Sequence, residues 1–127
     1  SCSIGKATPV ITLSASSGTV VDGKTVTFTA TVKSGSTAKV SGKLNTTSGT
    51  IAKATVSPNG DTTITNADNS SGIATTVTVT GVANGSSTIT VKFTPTDTTN
   101  FNSAANKTYS VTVTKSATIP TAASYCK

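Results

Sequence analysis

The side chains able to do acid, base, nucleophilic or metal chemistry are few here: four carboxylates, all Asp, ten Lys, two Cys, and no His, Glu or Arg. A serine hydrolase needs an imidazole beside its hydroxyl, and a zinc centre needs thiolates or imidazoles at short spacing. Neither can be assembled, because His is absent and Cys2 and Cys126 stand near opposite ends of the 127 residues. A carboxylate pair would have to come from Asp22, Asp61, Asp68 and Asp97, which are scattered along the chain. Catalysis is therefore not expected, and no cofactor is implied. The nearest approach to a cation site is Asn66-Ala67-Asp68-Asn69-Ser70-Ser71-Gly72, where oxygen-bearing side chains precede a glycine. It lacks the acidic charge and closing Glu of a calcium loop and reads as an Asx-rich turn.

Two further patterns invite a binding role. Thr-x-Thr runs at 25 to 31, 76 to 80 and 112 to 114 could present hydroxyls to ice or to a glycan, but they lack a short repeat and read as solvent-facing strand positions. The formal charge of +6 raises the question of nucleic acid. The lysines are spread singly, and without Arg the usual bidentate phosphate and base donor is missing, so nucleic acid is not an expected partner. No lysine occupies an apolar slot where it could crosslink to an Asn. No run approaches the ~20 apolar residues of a membrane span, so membrane insertion is not expected either.

The elements that would position these residues are strands. Thr and Ser supply 30 and 18 residues while only 34% of the chain is hydrophobic, a bias that suits sheet surfaces. Lys24 to Lys33 alternates without exception, Val26, Phe28, Ala30 and Val32 against Thr25, Thr27, Thr29 and Thr31. Ile73 to Pro95 alternates, breaks at Val82 to Ser87 and alternates again, as two antiparallel strands joined by a short turn. Val10 to Ala15 reads as an edge strand entered after Pro9, with Thr19-Val20-Val21 a continuation that switches sheets. Ala38 to Leu44, Thr50 to Val56 and briefly Thr62 to Thr65 complete the middle, with Ser57 to Asp61 a tight turn between them. Lys107 to Lys115 closes the series after a long polar loop in which Phe101 plugs the end of the core. Seven to nine such strands predict an all-β antiparallel sandwich over residues 9–115, with a lead-in at 1–8 and a tail or linker at 116–127.

The segments Lys24 to Val32, Ile51 to Ser57 and above all Thr78 to Val91, followed by Asn100-Phe101-Asn102 and a closing strand, resemble bacterial immunoglobulin-like domains found in tandem in invasin- and intimin-type surface proteins. The resemblance covers roughly residues 8 to 115. It implies an immunoglobulin-like Greek-key fold and a non-catalytic structural or adhesive module, a spacer repeat of an extracellular protein at the bacterial cell surface. The partners it implies are neighbouring modules of the same chain and a cell-surface glycan or protein. A carbohydrate-binding or phage-particle accessory module is the alternative, which calls for exposed aromatics; Tyr125 and Phe101 are the candidates. The absence of Trp and of a cysteine pair between the sheets departs from vertebrate immunoglobulin domains.

Cys2 and Cys126 fall outside the predicted sandwich, one in each tail, and are the disulfide candidates. An intrachain clasp, pairing with another module or chain, and free thiols all remain open. An extended C-terminal tail reaches about 36 Å, enough for the clasp. Closing so long a loop would stabilise by about 4 to 5 kcal/mol in the chain-entropy model, and would require an oxidising compartment.

Overall fold

In a computed structural model, which describes residues 6–116, the alternating segments become nine strands, with no helix among those residues. In chain order they are β1 Val10–Leu13, β2 Ser17–Val21, β3 Thr25–Lys33, β4 Val40–Ser48, β5 Ala54–Ser57, β6 Gly60–Ala67, β7 Ile73–Gly81, β8 Gly85–Pro95 and β9 Lys107–Thr114. They build a four-stranded sheet, β1-β3-β7-β5, and a five-stranded sheet, β2-β9-β8-β4-β6. The inward half of each alternating run meets in one core: Phe28, Ala30 and Val32 from β3, Val77 and Val79 from β7, Ile89, Val91 and Phe93 from β8, Tyr109, Val111 and Val113 from β9. With so few aromatics, the one stacked pair among the described residues carries weight: Phe28 and Tyr109 face each other across the sheets, ring centroids 4.3 Å apart and 16° from parallel.

The connectivity departs from the sequence reading in one important respect. The two strands of Ile73 to Pro95 are antiparallel neighbours in sequence but lie in different sheets, β7 pairing with β3 and β5, and β8 with β4 and β9. Alternation reports which face a residue buries, and it is identical for a paired hairpin and for two strands facing one another across a core. Among the described residues β8 and β9 are the one consecutive pair that shares a ladder. Most of the pairing therefore joins segments distant in sequence.

The middle third differs in detail. Ala38 is exposed and the fourth strand starts at Val40, with a register irregularity between Val40 and Gly42. Thr50 to Lys53 forms a turn, closed by the Lys53 and Ala54 amides donating to the Thr50 carbonyl, which leaves Ile51 70% exposed and shortens β5 to four residues. The segment expected to pair only briefly at 62 to 65 is an eight-residue strand, anchored by the buried Ile64 and Ala67.

The stretch Ser57 to Gly60 does not reverse the chain. Along β4 from Ser48 back to Val40 the neighbours rise in order: Ser48 meets Ala54, Thr46 meets Pro58 and Gly60, Lys43 meets Thr63 and Val40 meets Ala67. β5 and β6 are thus one run antiparallel to β4 that begins in the four-stranded sheet and ends in the other; the Ser57–Pro58 peptide within it is cis. On the opposite side β1 and β2 do the same along β3, from Val10 beside Lys33 down to the Val21 carbonyl, which accepts from the Lys24 amide. The sheet switch expected at Thr19 to Val21 is present. Each open side of the sandwich is spanned by a strand shared between its sheets.

Candidate functional site

The Thr runs come together only in part. On the outer face of the four-stranded sheet, Thr25, Thr27, Thr29 and Thr31 stand opposite Thr80, Thr78, Thr76 and Ala74, and Thr55 and Ser57 of β5 extend the first two rows. Thr12 adds to the row of Thr31. The third run lies on the other sheet, Thr112 between Thr19 and Ser86. That second face carries charge as well, with the Lys43 ammonium donating to Thr63 Oγ1 at 2.6 Å and the Asn45 amide to Asp61 Oδ1 at 2.9 Å. Both faces are polar and solvated, and among the described residues neither presents an aromatic platform.

The two ends of the sandwich are built differently. At the pole where the chain enters, the Asp68 carboxylate accepts from the amides of Gly72 (2.7 Å) and Ser70 (3.0 Å), and Asn69 Oδ1 accepts from Gly35 (2.9 Å). These amide bonds, Gly72 foremost, hold the Asp68 carboxyl below the ordinary aspartate range. Of the oxygens considered for calcium, Asp68 Oδ1 thus closes its own loop and Asn69 Oδ1 ties that loop to the one at Gly35. Asp97 repeats the device: the Asn100 side chain and the Asn100 and Thr99 amides lower its pKa. The turn so fixed directs Phe101 inward, where it is 5% exposed, and the strand-like Ala7 bonds across its neighbours Asn100 and Asn102. Phe101 is a core plug, as its isolation in a polar loop indicated. Among the described residues no cluster of three His, Cys, Asp or Glu could hold a metal.

At the opposite pole Val21, Ile51 and Val82 are exposed hydrophobics (38%, 70% and 48%). Backbone bonds link their turns, Gly23 donating to the Gly81 carbonyl and Val82 to that of Lys53. Ser116 leaves from this pole, its amide bonded to Asp22 Oδ1 at 2.9 Å. Between the poles, β2 pairs with β9 in parallel over five positions, Ser17 with Ser110 to Val21 with Thr114.

The two sides differ in what holds the switching strand. Beside β5 and β6 lie two buried hydroxyls, Thr46 and Ser87, and a half-buried one, Ser48: Thr46 Oγ1 donates to the Pro58 carbonyl, Ser48 Oγ to the Ala54 carbonyl at 2.6 Å, and Ser87 Oγ meets Ser48 Oγ at 2.7 Å while accepting from the Thr50 amide at 3.0 Å. Beside β1 and β2 the Ser14 hydroxyl, exposed, accepts from the Thr29 amide at 2.9 Å. A shallow groove remains there between β1 and the start of β9, lined by Val10, Leu13, Ala15, Ser16, Lys107 and Thr108. Sequence reading missed both features, since a buried hydroxyl and a surface one are the same letter. Cys2, Cys126 and Tyr125 lie outside the described residues.

No protein-family model matches the chain, and no curated protein does. Among solved structures it is similar to domains 4 and 5 of the S-layer protein SbsC, with 31% identity and a TM-score of 0.57, over 81% of this chain and 50% of that one. Domains 4–9 of SbsC align at 29% identity and a TM-score of 0.59, over 87% of this chain and 14% of that one. The chain thus spans half or less of these S-layer fragments. WR4, a member of the MSP family from C. elegans, shares the fold alone, with 9% identity and a TM-score of 0.60 over 82% of this chain and 97% of its own. The fold is an all-β, immunoglobulin-like sandwich, similar to domains of a multi-domain protein of the bacterial surface layer.

Proposed function

We propose that residues 9–115 are one non-catalytic, tension-bearing spacer of a multi-module protein at the bacterial cell surface, joined to its neighbours through 1–8 and 116–127. The observation that carries this reading is the path of the chain: it enters at the pole of Ala7 and leaves at the pole of Ser116, with the parallel β2–β9 pair between. Tension applied to the two ends pulls these strands lengthwise past one another, loading their hydrogen bonds together rather than in succession. The exposed Val21, Ile51 and Val82 at the exit pole fit contact with the next module, and the similarity to successive S-layer domains supports tandem arrangement. The carbohydrate-binding alternative loses Phe101, which is buried.

Two copies joined head to tail test the arrangement by small-angle scattering. A strand of nine residues spans ~30 Å, so with its loops each copy should add about 40 Å to the maximum dimension. A dimension no greater than that of one copy, or binding of a wall polysaccharide by the single chain, would count against the spacer reading.

A further inference from the structure

We propose that β1 is a releasable strap: tension lifts it off β3 while β2 holds, and the seat it vacates accepts the β1 segment of a second copy of this chain. That tension does the lifting rests on the spacer reading; the seat and its occupant rest on the geometry alone.

The two parts of the β1–β2 run are held unequally. β2 pairs with β9 over five positions, and the ladder continues at both ends, the Ser110 amide donating to the Ser16 carbonyl and the Asp22 amide to that of Thr114, each at 2.9 Å. β2 also lies directly on a buried ring, since a Cβ on Gly18 would stand 1.9 Å from the Tyr109 phenol oxygen. β1 is four residues long, and of its side chains only Ile11 is buried; Val10 is exposed and Leu13, on the other face, is half-buried beside the groove. The Ser14 amide bonds to the Thr29 carbonyl at 2.9 Å, so by antiparallel alternation the other main-chain bonds to β3 are those of Thr12 with Thr31 and Val10 with Lys33. Ala15 and Ser16, exposed and outside either strand, join the two parts. A load entering at Ala7 therefore meets the weaker ladder first, and the joint lets that ladder open alone.

Release opens a seat shaped by the segment that left it. Its edge is the main chain of Thr29, Thr31 and Lys33, and its centre is the space of Ile11, opposite Val32 in the core. Its upper end is the loop at Asn100 and Asn102: the Ala7 amide donates to the Asn100 carbonyl at 2.9 Å, the Asn102 amide to the Ala7 carbonyl at 2.8 Å, and the Asn102 side chain to Thr8 Oγ1 at 3.1 Å. Asp97 fixes that loop through bonds from Thr99 and Asn100, none of which involves β1. An occupant must run antiparallel to β3, present one large aliphatic side chain inward between two outward ones, and lead in with main-chain groups level with Asn100 and Asn102. Residues 6–16 of a second copy meet each condition because they are the same segment. Reciprocal exchange between two copies restores in both every contact that release removed. Neighbouring spacers under load would thus be joined strand for strand.

The 127-residue chain carrying Cys2→Ser and Cys126→Ser, with a synthetic peptide of residues 6–16 as the probe, tests this. Ile11 and Ile64 are equally buried, so Ile11→Ala and Ile64→Ala weaken the same core, but only the first weakens the strap. Native mass spectrometry should find about tenfold or more peptide on the Ile11→Ala chain than on the unsubstituted or Ile64→Ala chain. A peptide carrying Ile11→Asp should not bind, and Leu13→Ala serves as a milder release variant should Ile11→Ala not fold. Equal uptake by the Ile11 and Ile64 variants, or none by either release variant, overturns the seat. Equal uptake of the Ile11→Asp peptide overturns the second copy as occupant. For the chain pulled at Lys6 and Ser116, a small lengthening should precede the yield of β2 from β9, and excess peptide should prevent its reversal on relaxation. Peptide uptake as expected without that lengthening overturns release by tension.

Discussion

β1–β2 and β5–β6 each run antiparallel to one strand and change sheets partway, the first between Leu13 and Ser17, the second between Ser57 and Gly60. At the first corner the Ser14 hydroxyl accepts the Thr29 amide as the chain leaves the ladder, in contact with water. At the second, Thr46 and Ser87 are buried and accept or donate only within the protein. A hydroxyl in water has substitutes for a lost partner, whereas a buried amide or carbonyl has none. The same topological device is therefore held loosely on one side and tightly on the other, and mutations should separate the two.

The largest effect should come from adding a methyl at the irregularity beside β6. A Cβ on Gly42 would lie 2.2 Å from the Thr94 carbonyl oxygen and 2.8 Å from Pro95 Cα, main-chain atoms that cannot yield. Gly42→Ala should cost at least about 3 kcal/mol in denaturant unfolding. Core truncation at the two corners should be more nearly even: Ile11 and Ile64 are each 1% exposed, and Ile11→Ala and Ile64→Ala should each cost about 3 kcal/mol. A much smaller loss at Ile11 would mean that the first side is looser than its burial indicates.

The hydroxyls sharpen the contrast. Ser87→Ala removes the half-buried bonds of a buried hydroxyl to the Ser48 hydroxyl and the Thr50 amide and should cost about 1 kcal/mol, whereas Ser14→Ala removes one exposed bond to the Thr29 amide and should cost about 0.5 kcal/mol. Equal losses would remove the distinction between the corners.

The smallest effects are those of pH. Asp68 and Asp97 titrate below the ordinary 3.8 when folded, so their contribution is present above that value and is lost as pH falls through and below it. Burial raises the Tyr109 phenol above 10.0, so its contribution is present below that value and is lost as pH rises beyond it. The thermal midpoint should be level between these limits and decline outside both. Asp68→Ala should flatten the acid decline, and Tyr109→Phe the alkaline one.

The extent to which this was legible in the sequence depends on the information alternation encodes. The burial of Phe28, Val77, Val91 and Val111 was readable because a period of two specifies a face. Which strand lies beside which was not, since β7 and β8 alternate identically whether paired or opposed. The first corner could be anticipated because Ser16-Ser17-Gly18 interrupts an otherwise apolar run. The second could not, because Gly60 to Ala67 offers one large apolar residue, Ile64, in a polar segment, and its stability comes from pairing with β4. Phe101 was legible as a plug for the opposite reason, an aromatic alone among polar residues. The exit-pole patch was missed: Ile51 looked like a strand residue and proves exposed on a turn.

The central claim is that the path of the chain places β2 and β9 in shear between the poles. It is tested most directly by pulling single molecules of the Cys2→Ser, Cys126→Ser chain in two geometries. Attached at Lys6 and Ser116, the pair should yield in one event at high force. Attached at Asp22 and Ser116, which adjoin the same ends of the two strands, it should peel apart at a force several-fold lower. Equal forces in the two geometries would contradict the account.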